Sequence, residues 1–251
     1  MLNKILIFFI VFSLGFFSFS KIGQALNFDG VNDKTQHTTA STLNGLTTMT
    51  VSAWINPRTA GEGPNFGRIV RKANTGAPDG SNSYWDIHMS SNSYQFRAGY
   101  ATTGVWDTPA GVIPFNQWTH IAVTYTHDNT SANPILYVNG QPVSVTESTA
   151  PVGATNSDNT TMAIGDWGSG TRAFDGLIDE VRVYNRALSA SEIKSLYRGT
   201  HIRNGLVGYW PLWGGSLPFV PDLSGKKNHG SAVNMATFIP IKRPPIGRYR
   251  R

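Results

Sequence analysis

The sequence predicts an all-β fold in which two antiparallel sheets pack face to face as a sandwich. About a dozen short runs of β-forming residues follow one another at close spacing, with turn residues between them. The 26 glycines and 14 prolines are typical of a sheet protein with many turns. One short segment has the pattern of a helix. This arrangement favours a two-sheet sandwich over a barrel or a helical fold.

The strand predictions rest on local patterns. Residues 49–55 alternate between two faces, one of which is apolar, and residues 118–125 form the most strongly β-patterned run. Asn139-Gly140, a pair favoured in type I′ turns, is predicted to join strands at 135–138 and 141–145. Further strands are predicted at 26–28, 68–72, 84–89, 94–100 and 161–165.

Residues 174–197 contain a predicted core strand and the predicted helix. Residues 177–184 are rich in β-forming side chains, which indicates a buried strand. Ser189 stands three residues before Glu192, a capping box that opens a short helix. The apolar stripe of this helix consists of Ile193, Leu196 and Tyr197.

Four blocks of the sequence follow one another in a characteristic order. They are Ala25-Leu-Asn-Phe-Asp-Gly-Val-Asn-Asp33, residues 49–57, residues 118–125 with 136–140, and residues 174–197. This ordered set resembles the LamG-like jelly roll of the concanavalin A-like lectin/glucanase superfamily. The resemblance implies a LamG-like jelly roll over residues 26–199, closed by the strand before the short helix. The set is specific for a fold and not for a ligand.

The amino-terminal residues 1–25 are predicted to be a signal peptide. Lys4 precedes an apolar run at 5–19, which has the length of a signal-peptide core and is short for a membrane span. Cleavage is expected after Ser20 or after Ala25, and an uncleaved amino-terminal anchor is the alternative. The sequence therefore predicts a secreted or cell-surface protein with no stable membrane span after processing. It contains no cysteine, so no disulfide holds the fold together.

Residues 200–238 resemble the first strand and turn of the same family, although they follow the closing helix. Three alternatives are open for this segment. It is a permuted first strand packed on its own sandwich, the remnant of a truncated repeat, or a strand donated to a neighbouring subunit, with self-association through residues 205–230. Residues 239–251 are predicted to be a basic, flexible tail.

The net charge of +6 lies mainly at the two ends of the chain. Lys4, Lys21 and five basic residues among the last ten contribute seven positive charges, and the rest of the chain sums to −1. The sequence pI of about 9.6 therefore indicates no basic nucleic-acid-binding surface on the folded part.

Oxygen-bearing side chains cluster in the turn after the first predicted strand. Asp29, Asn32 and Asp33 lie in this turn, and Asp179 lies in the closing strand. Ca²⁺ binds about six to eight oxygens from carboxylates, amides and backbone carbonyls. The resemblance implies one structural Ca²⁺ shared by the turn and the closing strand, with Asp29 and Asp179 as the first ligands. The alternative is that Asp29 and Asp33 form the turn through hydrogen bonds to their own backbone.

Aromatic side chains beside polar, Gly-rich stretches predict a surface that binds carbohydrate. The candidates are Trp106, Trp167, Trp85 and Tyr84 for stacking on a sugar, and Asp166 and Arg97 for hydrogen bonds to hydroxyls. The same rings also suit the core of a sandwich, so both interpretations stay open at this stage.

No pattern of catalytic residues accompanies this surface. The related glucanases place carboxylates at alternate positions of one strand, and no Glu-x-Asp-x-x-Glu pattern occurs here. Asp179 and Glu180 are adjacent, so in a regular strand they point to opposite faces. The six histidines show no i, i+4 spacing for a metal. The sequence therefore predicts a protein that is not an enzyme.

These observations predict an exported recognition or adhesion module that binds a carbohydrate or a cell-surface glycoprotein. The first alternative is a structural protein that decorates a surface or a virion and assembles through its carboxyl-terminal segment. A glycoside hydrolase or lyase with an unrecognised site is the other alternative.

Overall fold

A computed structural model of the chain describes residues 22–37, 41–61, 66–73, 83–156, 158, 161–166, 172–213, 216–234 and 237–242. The predicted signal peptide up to residue 21, Trp167 and the end of the basic tail lie outside these residues. Within the described ranges, no helix is long and apolar enough to cross a membrane.

The described residues form nineteen strands, a 3-10 turn at Ser41–Leu43 and one α-helix. In chain order the elements are β1 (Ile22–Asp29), β2 (Lys34–His37), β3 (Thr48–Pro57), β4 (Arg68–Ala73), β5 (Ser83–Ser90), β6 (Ser93–Ala98), β7 (Tyr100–Thr102), β8 (Gly104–Asp107), β9 (Thr119–Thr126), β10 (Ile135–Val138), β11 (Gln141–Pro142), β12 (Thr146–Thr149), β13 (Val152–Thr155), β14 (Thr161–Ile164), β15 (Asp175–Tyr184), α1 (Ala190–Tyr197), β16 (Leu206–Trp210), β17 (Phe219–Val220), β18 (Gly230–Val233) and β19 (Thr237–Lys242).

Two large antiparallel sheets form the sandwich, which confirms the predicted fold class. The eight-stranded sheet has the order β11-β10-β9-β3-β15-β1-β19, and β16 pairs with β15 beyond the end of β1. The nine-stranded sheet has the order β12-β8-β6-β5-β4-β14-β2-β18-β17. A small third sheet pairs β13 with β7.

Side chains at alternate positions of the strands fill the space between the two large sheets. The nine-stranded sheet contributes Trp85, Ile87 and Met89 of β5 and Tyr94 and Phe96 of β6, all buried. The eight-stranded sheet contributes Val51, Ile55, Ile121, Val123, Ile178 and Val181. Burying each such side chain contributes about 1.5–3 kcal/mol. Because a strand has a period of two, the residues between them lie on the outer faces.

The helix α1 covers the outer face of the eight-stranded sheet. The backbone N–H of Glu192 donates to Ser189 Oγ at 3.3 Å, and the N–H of Ser189 donates to Glu192 Oε2 at 2.9 Å, so the predicted capping box is confirmed. Ile193 and Leu196 pack with Tyr184 of β15 in a second apolar cluster.

The carboxyl-terminal segment packs on the sandwich of its own chain. β16 pairs with β15, β18 pairs with β2, and β19 pairs with β1. Trp210 is fully buried opposite Val181. This arrangement corresponds to the first of the three alternatives for the segment. Residues 239–242 belong to β19 rather than to a flexible tail, because they pair with the start of β1.

Candidate functional site

The outer face of the nine-stranded sheet carries two rows of polar side chains. Cross-strand pairing on β4, β5, β6 and β8 aligns the first row, which consists of Arg68, His88, Gln95 and Asp107. The second row consists of Arg71, Asp86 and Arg97. Residues directly opposite one another on neighbouring strands have Cβ atoms about 4.5–5.5 Å apart. We call these two rows the polar face.

The position of the polar face follows from the alternation of residue types along β5 and β6. The runs Trp85-Asp86-Ile87-His88-Met89 and Tyr94-Gln95-Phe96-Arg97 place every second, apolar residue in the core. The intervening polar residues therefore point away from the core.

Asp86 lies at the centre of the polar face. Its Oδ1 accepts a hydrogen bond of 2.9 Å from Arg68 Nη1 and lies 2.5 Å from His88 Nδ1. Arg71 and Arg97 are its cross-strand neighbours. Burial raises the pKa of Asp86, but the positive charge of Arg68, the hydrogen bond from His88 and the positive charge of Arg97 outweigh this effect and hold that pKa well below its usual range. The carboxylate therefore stays ionised.

His88 is a buried, neutral member of the polar face. Burial, together with the positive charge of Arg68, lowers its pKa to about 4. The neutral ring donates Nδ1–H to the ionised Asp86, which leaves Nε2 as an acceptor. Nε2 is buried and has no hydrogen-bond partner. The ring thus keeps one buried acceptor atom beneath the polar face.

The guanidinium groups of Arg68 and Arg71 lie in a buried environment that disfavours their positive charge. Burial lowers the pKa of each to about 10, against the opposing effect of Asp86. The charges of Arg97 and Arg172 lower the pKa of Arg68 further. Both groups remain cationic at neutral pH, so the floor of the site holds crowded positive charge.

A chain of hydrogen bonds runs along one edge of the polar face. Arg97 Nε donates to Gln95 Oε1 at 2.7 Å, and Gln95 Nε2 donates to Asp107 Oδ1 at 2.6 Å. Ser148 of β12 donates to the other oxygen of Asp107. These bonds hold the half-buried Arg97 and Asp107 in place.

Phe66 and Arg172 form the rim of the site. The Phe66 ring centroid lies 6.0 Å from Arg97 Cζ and 5.8 Å from Arg172 Cζ, and the ring makes an edge contact with His88 at 5.6 Å between centroids. Arg172 has a φ of 72°, in the left-handed region, and its carbonyl accepts the N–H of Arg68 at 2.9 Å. Phe66, Arg97 and Arg172 are all half-buried and therefore accessible.

Two of the predicted ligand-binding residues lie at this site. Arg97 belongs to the polar face. Asp166 is fully buried beside the polar face, where it forms an ion pair of 3.7 Å with Lys34. Its negative charge raises the pKa of Arg68 and Arg71, against the larger effect of burial. Trp167 lies outside the described residues.

The other three predicted ligand-binding residues lie elsewhere, which corrects their assignment. Trp85 and Trp106 are 0% and 1% exposed, and Tyr84 is also buried. The Trp106 ring packs on Phe96 at 5.9 Å, and its Nε1 donates to Asn133 Oδ1 at 2.8 Å. These rings fill the core, the alternative that the sequence left open. In this structure they present no open face to a sugar.

The ligand-binding residues predicted from the sequence did not include Arg68, Arg71, His88 or Gln95 of the polar face. The signal in the sequence that points to this face is the alternation of apolar and polar residues along β5 and β6. Polar residues at every second position of a strand with an apolar opposite face are expected to share the outer surface. The burial of these residues could be recognised only in the tertiary structure.

The predicted calcium ligands are only partly brought together. Asp29, Asn32 and Asp33 lie in the turn between β1 and β2, where Asp33 Oδ2 accepts the N–H of Asp29 at 3.1 Å. Asp29 lies opposite Asp175, four residues before Asp179 in β15. At about 3.3 Å per residue, Asp179 is roughly 13 Å farther along the strand, so it does not share the turn's site. Among the described residues, no group of three or more His, Asp or Glu side chains could hold a metal ion.

Asp179 and Glu180 also differ from the sequence expectation. The pairing of β15 with β3 shifts between Asp179 and Arg182, and Glu180 has a φ of 55°. This β-bulge breaks the strict alternation that would place the two carboxylates on opposite faces. Glu180 is bound by Arg182, and its Oε2 accepts a hydrogen bond of 3.0 Å from Tyr209. It is a buried structural carboxylate.

The fold and the site define a class of protein, the antiparallel jelly-roll sandwich with a polar outer face on one sheet. The chain belongs to the concanavalin A-like lectin/glucanases superfamily, because the Laminin_G_3 family model of that superfamily matches residues 29–194. This membership confirms the family resemblance of the four sequence blocks. A comparison with curated proteins found no match.

Several solved structures have a similar fold. A candidate carbohydrate-binding protein from Bacteroides ovatus has a TM-score of 0.62 at 18% identity, covering 89% of this chain; the chain spans 61% of that protein. The heptameric SAP-like pentraxin of Limulus polyphemus has a TM-score of 0.56 at 16% identity, covering 88% of this chain and 95% of the pentraxin.

A third similar structure is the CBM40 of the Ruminococcus gnavus IT-sialidase, bound to α2,3-sialyllactose. It has a TM-score of 0.52 at 15% identity, covering 69% of this chain and 97% of the module. At these identities the likenesses show the fold.

Proposed function

We propose that the chain is a carbohydrate-binding module that holds its glycan against the polar face. The convergence of guanidinium, imidazole and amide groups from β4, β5 and β6 on one outer surface carries this proposal. Binding sites combine an apolar wall with a few convergent polar groups that fix the orientation of the ligand. Phe66 supplies the apolar ring, and the half-buried Arg97 supplies hydrogen-bond donors for a sugar hydroxyl.

Two of the similar structures support this proposal through their own descriptions, one of which names a bound sialyllactose. A candidate carbohydrate-binding protein and a carbohydrate-binding module of a sialidase both share this fold. The glycan is therefore a free carbohydrate or the carbohydrate of a cell-surface glycoprotein, and the chain acts as an exported recognition module.

The proposed activity of the polar face is binding rather than hydrolysis. Glycosidases use two carboxyl groups about 5–9.5 Å apart, one of them a proton donor. Asp86 is held ionised by Arg68 and His88, so it is unsuited to donate a proton. Asp107 accepts hydrogen bonds from Gln95 and Ser148. The carboxylates of the polar face thus serve to position its arginines and Gln95.

A glycan array followed by calorimetry tests the proposal. Gln95→Ala removes the amide that joins Arg97 to Asp107, and we expect it to weaken glycan binding roughly tenfold, since a hydrogen bond contributes about 0.5–1.5 kcal/mol. Gln141→Ala, an exposed glutamine in the eight-stranded sheet, is the matched control and should bind as wild type does. An array with no bound glycan, or equal binding by the Gln95 variant, would contradict the proposal.

A further inference from the structure

We infer that a second sugar subsite adjoins Arg97 at the edge of the nine-stranded sheet, formed by Asp107 of β8 with Thr146 and Ser148 of β12. A glycan held at Arg97 then extends across β8 to this edge, so its class is an oligosaccharide rather than a single sugar. The inference rests on the proposed function and names the size of its ligand.

The first row of the polar face continues past β6 to the edge of the sheet. Gln95 of β6 lies opposite Asp107 of β8, and Asp107 lies opposite Thr146 of β12. Among the described residues, β12 is the last strand on this side of the sheet. Neighbouring strands are about 4.8 Å apart, so the surface from β6 to β12 is roughly 10 Å wide. A single sugar ring covers only part of this width.

A β-bulge increases the number of hydroxyl groups at this edge. The register of β12 against β8 shifts between Glu147 and Thr149, so Ser148 is an extra residue. Ser148 and Thr149 therefore stand where a regular strand would have one residue. Thr146, Ser148 and Thr149 are all exposed. Bulges are over-represented at sheet edges and next to functional sites, which agrees with a binding role for this edge.

Asp107 has acceptor capacity beyond the two hydrogen bonds that hold it. Gln95 Nε2 donates to its Oδ1 at 2.6 Å, and Ser148 Oγ donates to its Oδ2. A carboxylate has about four lone-pair positions, so about two remain for sugar hydroxyls. The side chain is half-buried and therefore accessible. Its two protein partners fix its orientation before binding, which lowers the entropy cost of holding a ligand.

Arg97 supplies the complementary donors on the neighbouring strand. Its Nε donates to Gln95 Oε1 at 2.7 Å, so the amide that binds Asp107 also orients Arg97. A guanidinium group has four further N–H donors on its two Nη atoms. Sugar hydroxyls both donate and accept hydrogen bonds. Donors at Arg97 and acceptors at Asp107 therefore suit two successive sugars of one chain.

Val105 adds an apolar contact between the two subsites. It lies opposite Arg97 on one side and opposite Thr149 on the other, and it is half-buried. Binding sites for small molecules combine apolar contacts with a few convergent polar groups. The outer surface of β6, β8 and β12 has both.

Glycans of increasing length test the inference by NMR titration, which also measures weak binding. The probes are galactose, lactose and lacto-N-neotetraose, and glucose, cellobiose and cellotetraose. Each further glycan that the array finds is compared with its own monosaccharide units. We expect a tetrasaccharide to bind about tenfold or more tightly than its monosaccharide, because the second subsite adds at least two hydrogen bonds.

Variants of β12 separate the second subsite from the fold. Ser148→Ala and Thr146→Val each remove one exposed hydroxyl group, and each should weaken oligosaccharide binding roughly 3- to 10-fold. Monosaccharide binding and the Tm should stay unchanged, since both positions lie on the surface of an edge strand. Ser144→Ala and Thr155→Val, at exposed positions outside the polar face, are the matched controls and should bind as wild type does.

The outcomes distinguish the inference from the proposed function. A loss confined to the oligosaccharides in either variant supports the inference. Monosaccharides bound as tightly as their oligosaccharides would overturn it and leave the proposed function standing. Full oligosaccharide affinity in both Ser148→Ala and Thr146→Val would also overturn it. A protein that binds none of these probes and no glycan on the array would overturn the proposed function and the inference with it.

Discussion

Trp210 Nε1 donates a hydrogen bond of 2.9 Å to the backbone carbonyl of Asn228, a residue of the turn that follows β17. The same carbonyl lies 3.2 Å from Nδ1 of His37 in β2. The turn is held by Asp222, whose carboxylate accepts the N–H of Tyr209 at 2.9 Å and that of Asn228 at 2.8 Å. One buried indole thereby connects the carboxyl-terminal segment to both sheets.

Trp210→Ala is expected to lower the free energy of unfolding by about 3–5 kcal/mol, because it leaves a large cavity in the core and removes this hydrogen bond. Urea denaturation measures the change. Leu223→Ala is the control, since its side chain is 52% exposed, and we expect a change below about 1 kcal/mol.

The same variant bears on self-association through residues 205–230. If the segment packs only on its own chain, Trp210→Ala changes stability and not assembly, as measured by analytical ultracentrifugation. A stable, unaltered monomer after deletion of residues 205–251 would show that the sandwich does not need the segment and would rule out strand donation to a neighbouring subunit.

Local sequence signals predicted the parts of the fold that depend on local chemistry. The capping box at Ser189 and Glu192 is present, because both of its hydrogen bonds lie within one turn of chain. Asn139 and Gly140 both have positive φ, at 49° and 74°, between β10 and β11 as the type I′ prediction requires. Each feature needs only neighbours in sequence.

Features that depend on distant pairing were not predictable in the same way. The bulge at Glu180 accompanies a register shift against β3, and a strand-like run of residues does not encode such a shift. Trp106 lies on a short strand amid glycine and threonine, so its sequence context resembles a loop, yet its ring packs on Phe96 and Tyr125. The burial of Arg68 depends on Asp86, eighteen residues away.

Acidic pH is expected to destabilise the fold through its buried histidines. Burial lowers the pKa of His37, His88 and His127 to about 4 and that of His120 to about 3. In the unfolded chain each has a pKa near 6.5, so between about pH 6.5 and 4 the unfolded state binds more protons. The free energy of unfolding therefore falls as pH falls through this window, by up to about 3 kcal/mol per histidine. Urea denaturation at several pH values measures this dependence.

His120→Leu isolates one histidine of this set. Both ring nitrogens of His120 are buried without a hydrogen-bond partner, and the charge of Arg182 adds to the effect of burial on its pKa. We expect the variant to match wild type within about 1 kcal/mol at pH 7.5, since an apolar replacement leaves no unsatisfied group. Between pH 6.5 and 4 its stability should fall less steeply. An equal slope for the two proteins would assign the acid sensitivity to other groups.

Calcium is proposed to bind at the turn between β1 and β2, without Asp179. Burial, with the negative charge of Asp29, raises the pKa of Asp33, and Asp33 Oδ1 is buried without a hydrogen-bond partner. A cation held by Asp29, Asn32 and Asp33 would offset the negative charge of the two carboxylates, and it would give Asp33 Oδ1 a partner. Ca²⁺ at a hundredfold excess over its Kd should stabilise the fold by about 2.7 kcal/mol, seen as a higher Tm that EDTA reverses. Asp33→Asn should lose this response. Asp128→Asn, a control at an exposed position, should keep it. A wild-type Tm that does not change with EDTA would rule the ion out.

The position of β1 bears on where an amino-terminal leader would be removed. The strand begins at Ile22, and its residues 22–25 pair with residues 239–242 of β19, with Ala25 fully buried. Cleavage after Ala25 would remove half of the strand, whereas cleavage after Ser20 leaves it whole. We therefore expect the exported protein to begin at Lys21, as measured by intact mass and amino-terminal sequencing. A chain that starts at Leu26 should have a lower Tm than one that starts at Lys21, because β19 loses four of its six partners in β1. Recovery of Leu26 as the natural first residue, with equal Tm for the two forms, would show that the pairing of β1 with β19 does not stabilise the sandwich.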